Sequence, residues 1–259
     1  MIHVPALPGS PRCSMSFEEI RRFVLADSTA LAEGGVDGLM IENFGDVPFY
    51  PSRVPAHTVA FLSTLAFEVK TLLRLPLGIN VLRNDGMAAI AIAAAVGAEF
   101  VRVNVYTGAR LADQGILHGE AHQIARYRRA LGATAQIWAD VAVKHSAPLG
   151  DRFLGDEVED TVERGLADAV IVSGTSTGKS TAIEDVRTVK HHAGHAAVYV
   201  GSGVEDSTVE TLLEVADGAI VGTAFKLGGK VSAPVDRARV RALVSTVQRR
   251  FAGEDSRRL

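Results

Sequence analysis

Eight times along this chain a short β-branched or apolar run gives way to a longer helical pattern, and the alternation never breaks. The runs are Met1–Val4, Gly38–Glu42, Leu77–Val81, Phe100–Val105, Ala135–Val141, Ala169–Val172, Ala197–Val200 and Gly218–Val221. Helical periodicity falls between and after them, near 17–34, 55–73, 85–96, 118–131, 156–166, 182–193, 206–215 and 234–250. From Glu42 through Asn80, Asn104, Asp140, Ser173 and Gly201 to Gly222, successive strand ends lie 21 to 38 residues apart, which leaves no stretch for an interdomain linker. Strict β-then-α order demands a parallel sheet. Eight units in 259 residues fit an α/β fold of one kind best: a single (β/α)8 TIM-type barrel over 1–253, ahead of an open doubly wound sheet, with 254–259 as a frayed polar tail.

Local punctuation supports the segmentation. Ser16 ahead of Phe17-Glu18-Glu19 reads as a capping box, Asn84 or Asp85 starts the third helix, and Asp206 or Ser207 starts the seventh. Gly34-Gly35, Gly97, Gly132 and Gly165 stand where helices end in a left-handed residue. Pro5 cannot donate to a ladder, so the first strand is short or the chain start is placed late.

Composition narrows the partners. Charged residues make up 22%, apolar residues 47%, and the net charge of −3 gives no global attraction to nucleic acid or to an anionic membrane. An anionic ligand must then be held locally. The longest apolar stretch, Met87–Ala98, has 12 residues, against the roughly 20 that a membrane-spanning helix needs. No secretory leader is recognisable, and Cys13 is the only cysteine, which together imply a cytoplasmic protein without disulfides. A homo-oligomer is expected.

In a barrel the active site lies at the C-terminal ends of the strands, so polar residues there carry weight. Gly201-Ser202-Gly203 follows the seventh predicted strand, and Gly222-Thr223 follows the eighth. Glycines at those turns let backbone N–H groups approach a phosphate, although tight βα turns favour glycine in any case. Asp140 and Glu42 end apolar runs and are candidate catalytic carboxylates, Asp140 either as a base or as a structural acid paired with Arg102 or Lys144. Lys144 and His145 follow the fifth strand and are further catalytic candidates. A lysine forms a Schiff base only when buried and deprotonated, and loop placement favours anion binding or help to a leaving group instead. His3, Asn80, Arg83, Arg102, Asn104 and Asp113 are assigned to substrate binding, Arg102 and Asn104 because they share one strand face. Asp113 lies in a loop 13 residues long from Val105 to His118, either a lid or a simple exposed turn. Two carboxylates in one mouth would admit a divalent metal, but no H-x-H or H-E-x-x-H spacing exists, and no cofactor is expected.

The stretch "SGTSTGKST", Ser173–Thr181, approaches the phosphate-cradling G-x-x-x-x-G-K-[ST] pattern, yet Ser173 stands where the first glycine belongs. In a barrel it becomes the loop after the sixth strand. Thr175, Thr177 and Lys179 are then auxiliary binding contacts, with Gly178 beside them, and no nucleotide motor is implied.

Long blocks of the chain resemble the BtpA/SgcQ family: "MIHVPALPGSP" (1–11), "IENFGDVPF" (41–49), "GINVLRNDG" (78–86), "VRVNVYTGARLADQGIL" (101–117), "WADVAVKHSAPLGD" (138–151), "SGTSTGK" (173–179), "VGSGV" and "IVGTAFK". The resemblance covers nearly the whole chain, although relatives tend to have several more residues before "MIH". It implies a TIM-type barrel. It also implies two divergent roles, since one member is described as a photosystem I biogenesis factor and SgcQ-type relatives are labelled as nucleosidases. An enzyme acting on a phosphorylated sugar or nucleoside, by C–N bond hydrolysis or transfer, is the primary expectation. A sugar-phosphate isomerase or aldolase and a non-catalytic assembly factor are the alternatives, and loss of turnover with intact folding in Asp140→Asn would favour an enzyme.

Overall fold

The computed structural model describes residues 1–174 and 181–255. In chain order the elements are β1 Ile2–His3, α1 Phe17–Gly34, β2 Leu39–Glu42, α2 Ala56–Leu73, β3 Leu77–Asn80, α3 Gly86–Val96, β4 Phe100–Val103, β5 Ala109–Ala112 and β6 Gly115–His118. After these come α4 Ala121–Ala130, β7 Gln136–Val141, β8 Ser146–Pro148, α5 Leu154–Glu159 with a π turn over Asp160–Arg164, β9 Ala169–Val172, α6 Ile183–His192, β10 Ala197–Val200, α7 Val209–Leu213, β11 Gly218–Ala219 and α8 Arg237–Asp255. Eight strands form one sheet in the order β1-β2-β3-β4-β7-β9-β10-β11, parallel at every pairing. The sheet curls until its two edges meet at one backbone hydrogen bond, Met1 N to Val221 O at 2.9 Å. Among the described residues no strand ladder joins β11 to β1.

The two-residue period of each strand sorts its side chains. Leu39 and Ile41, Leu77 and Ile79, Val101 and Val103, Ile137 and Ala139, and Val198 and Val200 pack outward with the helices in the main core. The opposite face points into the curl and carries different chemistry. Toward the N-terminal ends of the strands it is aromatic: Phe100 stacks on Trp138 at 3.9 Å and Trp138 on Tyr199 at 4.1 Å, with interplanar angles of 15° and 14°. Glycines flank this stack because nothing larger fits. A Cβ on Gly78 would lie 2.1 Å from Phe100, and one on Gly218 would lie 2.6 Å from Tyr199.

Helix punctuation follows the sequence at most positions. Ser16 and Glu19 make the reciprocal capping box, Asp85 caps α3 through Ala88 N, and Gly35, Gly97 and Gly132 adopt left-handed φ. Gly165 does not: its φ is −79°, and the left-handed residue is Leu166 at φ 61°. Glycine is needed at 165 for space, since a Cβ would lie 2.6 Å from Thr161 O. The seventh helix starts at Val209, after Thr208, rather than at Asp206 or Ser207. At the far end α8 continues to Asp255, into the segment expected to fray. A buried Lys226–Asp27 ion pair (2.5 Å) ties the chain after β11 to α1, and Val235 N also donates to Asp27. No described helix is long and apolar enough to cross a membrane.

The loop from Val105 to His118 is neither a lone turn nor a detached lid. It forms the antiparallel β5–β6 hairpin, and β8 from the next βα loop pairs with β5, so two loops share one three-stranded sheet. Strands of three or four residues paired across 36 positions (Leu111 with Ala147) leave no local signature.

Gly78→Ala should cost about 1–3 kcal/mol through overpacking against Phe100. Urea unfolding would show a lowered midpoint at unchanged slope, and an unmoved midpoint would mean that the ring stack can yield.

Candidate active site

Register aligns a polar row above the aromatic floor. His3 pairs with Glu42, Glu42 with Asn80, and Asn80 with Arg102 across β1 to β4. On the neighbouring β7, Asp140 stands two residues beyond Trp138, the partner of Arg102. Arg102 meets Asp140 in a two-pronged pair, Nε to Oδ1 at 2.8 Å and Nη2 to Oδ2 at 2.9 Å, with side chains 2% and 0% exposed. Asn104 Nδ2 adds a third donor to Asp140 Oδ2 at 3.0 Å, and Asn80 Nδ2 bridges Arg102 O and Asn104 Oδ1. A charge pair this deep survives only because its carboxylate is saturated with donors.

Above the pair opens a cavity of about 700 Å³. It brings together His3, Glu42, Arg102, Lys144, Gly201, Ser202, Gly203, Gly222 and Thr223, nine of the residues the sequence singles out. Both turns need their glycines. A Cβ on Gly222 would lie 3.0 Å from the His3 ring, one on Gly201 would lie 2.5 Å from Ile171 Cγ2 and 2.9 Å from Ser173 Oγ, and Gly203 has φ 67°. The backbone N–H groups of Gly203, Gly222 and Thr223 have no protein acceptor among the described residues. Backbone N–H groups without protein acceptors in a concave turn are the kind of donor an anion takes.

Titratable groups around the cavity are displaced from their ordinary values. Burial, followed by the positive charges nearby, holds the His3 imidazole well below its usual range, so it is neutral near pH 7. Its Nε2 lies 3.8 Å from Glu42 Oε1, its Nδ1 is buried without a partner among the described residues, and its ring packs 4.7 Å from Phe44. Lys144 is also pushed down, by burial first and then by Arg102, while Glu42 and Asp140 oppose the shift.

Other predicted residues are placed elsewhere. Asp140 is not among the residues lining the cavity, and both of its oxygens accept hydrogen bonds, from Arg102 and Asn104. Asn80 and Asn104 belong to that same buried network. Arg83 Nη2 holds Lys144 O at 2.8 Å, also outside the cavity wall. His145 is exposed at φ 56°, and Asp113 is exposed at the tip of the β5–β6 hairpin with Gln114 Nε2 donating to it at 2.6 Å. Thr175, Thr177 and Lys179 lie outside the described residues. Among the described residues no group of three or more His, Cys, Asp or Glu side chains is placed to hold a metal ion. Glu42 and Asp140, which admitted a metal on sequence grounds, do not converge as free ligands. Phe44, Glu205, Ser207 and Arg239 also line the cavity. Arg239 arrives from the first turn of α8, anchored by its Nε to Ala224 O at 2.7 Å, and nothing in its local sequence signals this.

The sequence profile of the BtpA family matches residues 1–249. The chain belongs to the BtpA family. This BtpA-family chain is 41% identical over 247 residues to the photosystem I biogenesis protein BtpA of Synechocystis sp., covering 95% of this chain and 86% of that one. It is 45% identical over 244 residues to an uncharacterised protein of Thermococcus kodakarensis, covering 94% and 92% of the two chains. Among solved structures it is similar in fold to thiamine phosphate pyrophosphorylase from Pyrococcus furiosus, with TM-score 0.59, 13% identity, and 89% and 93% of the two chains covered. Orotidine 5′-phosphate decarboxylase from Pyrococcus horikoshii gives TM-score 0.57 at 14% identity, covering 90% and 96%. Both neighbours make the fold of this BtpA-family chain TIM-barrel-like.

Two outcomes follow from the buried groups. Asp140→Asn removes the countercharge of Arg102 and should cost about 3–5 kcal/mol in equilibrium unfolding, so this variant reports on folding before it reports on activity. For His3 the folded-state pKa lies below the unfolded value of about 6.5. Above pH 6.5 the residue is neutral in both states and contributes nothing, whereas below it the unfolded chain takes up a proton that the folded chain refuses. Denaturation at pH 7.5 and 5.5 should therefore show a smaller acid-side loss of stability in His3→Asn than in the unaltered protein. Equal losses would place the imidazole in contact with water.

Proposed function

We propose that the curled sheet is a closed (β/α)8 barrel and that its cavity is the active site of an enzyme acting on a phosphorylated sugar or nucleoside. The observation that carries this reading is the convergence in one cavity of the Gly201–Gly203 and Gly222–Thr223 turns with Glu42, Lys144 and Arg102, where the N–H groups of Gly203, Gly222 and Thr223 have no protein acceptor among the described residues. Phosphate binds at the two turns and Arg239 adds positive charge there. The sugar then extends toward Glu42 and His3. The names of the fold neighbours, thiamine phosphate pyrophosphorylase and orotidine 5′-phosphate decarboxylase, agree with such a ligand, although fold alone assigns no activity.

In a nucleosidase-like reaction Glu42 stabilises positive charge developing on the sugar carbon while Lys144 delivers a proton to the departing base. A second reading, isomerase or aldolase chemistry beside a carbonyl, is favoured by a specific observation. Asp140 is locked away from the cavity, which leaves Glu42 as its inner carboxylate beside a neutral imidazole suited to donate a hydrogen bond to a carbonyl oxygen. A non-catalytic assembly role, suggested by the name of the Synechocystis relative, would use the exposed Leu111 and Ile116 on the loop sheet with Leu149 and Phe153 nearby in the chain.

Thermal denaturation with a panel of nucleotides and sugar phosphates tests the central claim. A ligand at 100 times its Kd stabilises by about 2.7 kcal/mol, a rise in Tm of several degrees. If no phosphorylated compound raised the Tm, the claim would be lost. With a substrate in hand, Glu42→Gln should reduce turnover by about 100-fold or more while the ligand-induced rise persists, and full activity in that variant would remove Glu42 from the chemistry.

A further inference from the structure

We propose that Lys144 forms an imine with a phosphorylated aldehyde or ketone bound in this cavity. The proposal rests on the phosphate-binding reading above and narrows its substrate class to carbonyl compounds. Placement of Lys144 in a loop argued against such chemistry, and the structure removes that objection. The loop segment is pinned: Ala142 N donates to Glu157 Oε1 at 3.2 Å, Ser146 Oγ donates to Val143 O at 2.7 Å, Arg110 Nε donates to Ser146 Oγ at 2.8 Å, and Arg83 Nη2 donates to Lys144 O itself. The side chain therefore starts from a rigid backbone and enters the cavity beside Arg102 and Glu42.

Its surroundings differ from those of the paired lysines. Lys70, Lys190 and Lys226 each sit against a carboxylate, whereas no described carboxylate lies within 4 Å of the Lys144 ammonium. The nearby Asp140 is neutralised by Arg102, and the Arg102 and Arg83 guanidiniums disfavour a further positive charge. Burial acts in the same direction, so the neutral, nucleophilic amine is more accessible than in an ordinary lysine. In the step itself the amine nitrogen bonds to the carbonyl carbon, the carbonyl oxygen gains both amine hydrogens and departs as water, and a C=N bond remains. The Glu42 carboxylate carries the proton between nitrogen and oxygen. Protonation of the imine then makes the adjacent carbon acidic, which suits isomerase or aldolase chemistry.

The intact protein treated with pyridoxal 5′-phosphate, reduced with borohydride and mapped by mass spectrometry gives the test, with exposed Lys230 as the internal reference. Pyridoxal lacking the phosphate and inorganic phosphate as competitor form parallel arms. At pH 7 Lys144 should be labelled several-fold faster than Lys230, since a lowered pKa enlarges the neutral fraction and a bound phosphate would hold the aldehyde beside it. Pyridoxal should react more slowly, phosphate should protect, and Lys144→Gln with an unchanged circular dichroism spectrum should abolish the fast label. Labelling of Lys144 no faster than Lys230 overturns the imine, and if phosphate still raises the Tm the phosphate reading stands and Lys144 is an anion-binding group. Rapid labelling by both aldehydes without protection by phosphate keeps the imine and overturns the phosphate site.

Discussion

The Arg102–Asp140 pair is the interaction on which the rest of the interior depends. It crosses from β4 to β7 inside the curl, where water is excluded and an unmatched charge would be costly. Asn104 and Asn80 complete the donor and acceptor set around it, so the pair holds the polar row rigidly above the stacked rings. Arg102 also presents part of its surface to the cavity. One buried pair thus separates an apolar floor, which supplies packing, from a wet mouth, which supplies chemistry.

Space around this interior is set by glycine. Gly78 and Gly218 make room for the aromatic stack, and Gly201 and Gly222 make room for Ser173, Arg102 and His3. Each is a place where a neighbouring side chain crosses the position of the missing Cβ. The same economy appears outside the sheet, where Lys226 and Asp27 pair across 199 residues and hold the last βα connection against α1. That connection carries Gly222 and Thr223, so a contact far from the cavity fixes one of its walls.

Charge around the cavity is set locally rather than by the chain as a whole. The net charge is −3, and with Arg102 matched by Asp140 the other charged side chains lining the cavity are Lys144 and Arg239 against Glu42, Glu205 and Asp206. Glu205 follows the glycine turn after β10.

The sequence alone determined the order of strands and helices, because hydrophobic period and turn chemistry are local properties of the chain. It also located the mouth residues, since strand ends can be read from that same order. His3, Glu42, Lys144 and the two glycine turns are adjacent to such ends. What tertiary structure decided was which of them share space. The sequence left Asp140 open as a base or as a structural acid paired with Arg102 or Lys144, and the neighbouring register of β4 and β7 selects the Arg102 pair. The β5–β6–β8 sheet and Arg239 were equally out of reach, for pairing across distant loops and the docking of α8 depend on the whole fold. Gly165 shows the limit most simply: a glycine after a helix suggests a left-handed turn, whereas here it is the closeness of Thr161 O that excludes a side chain.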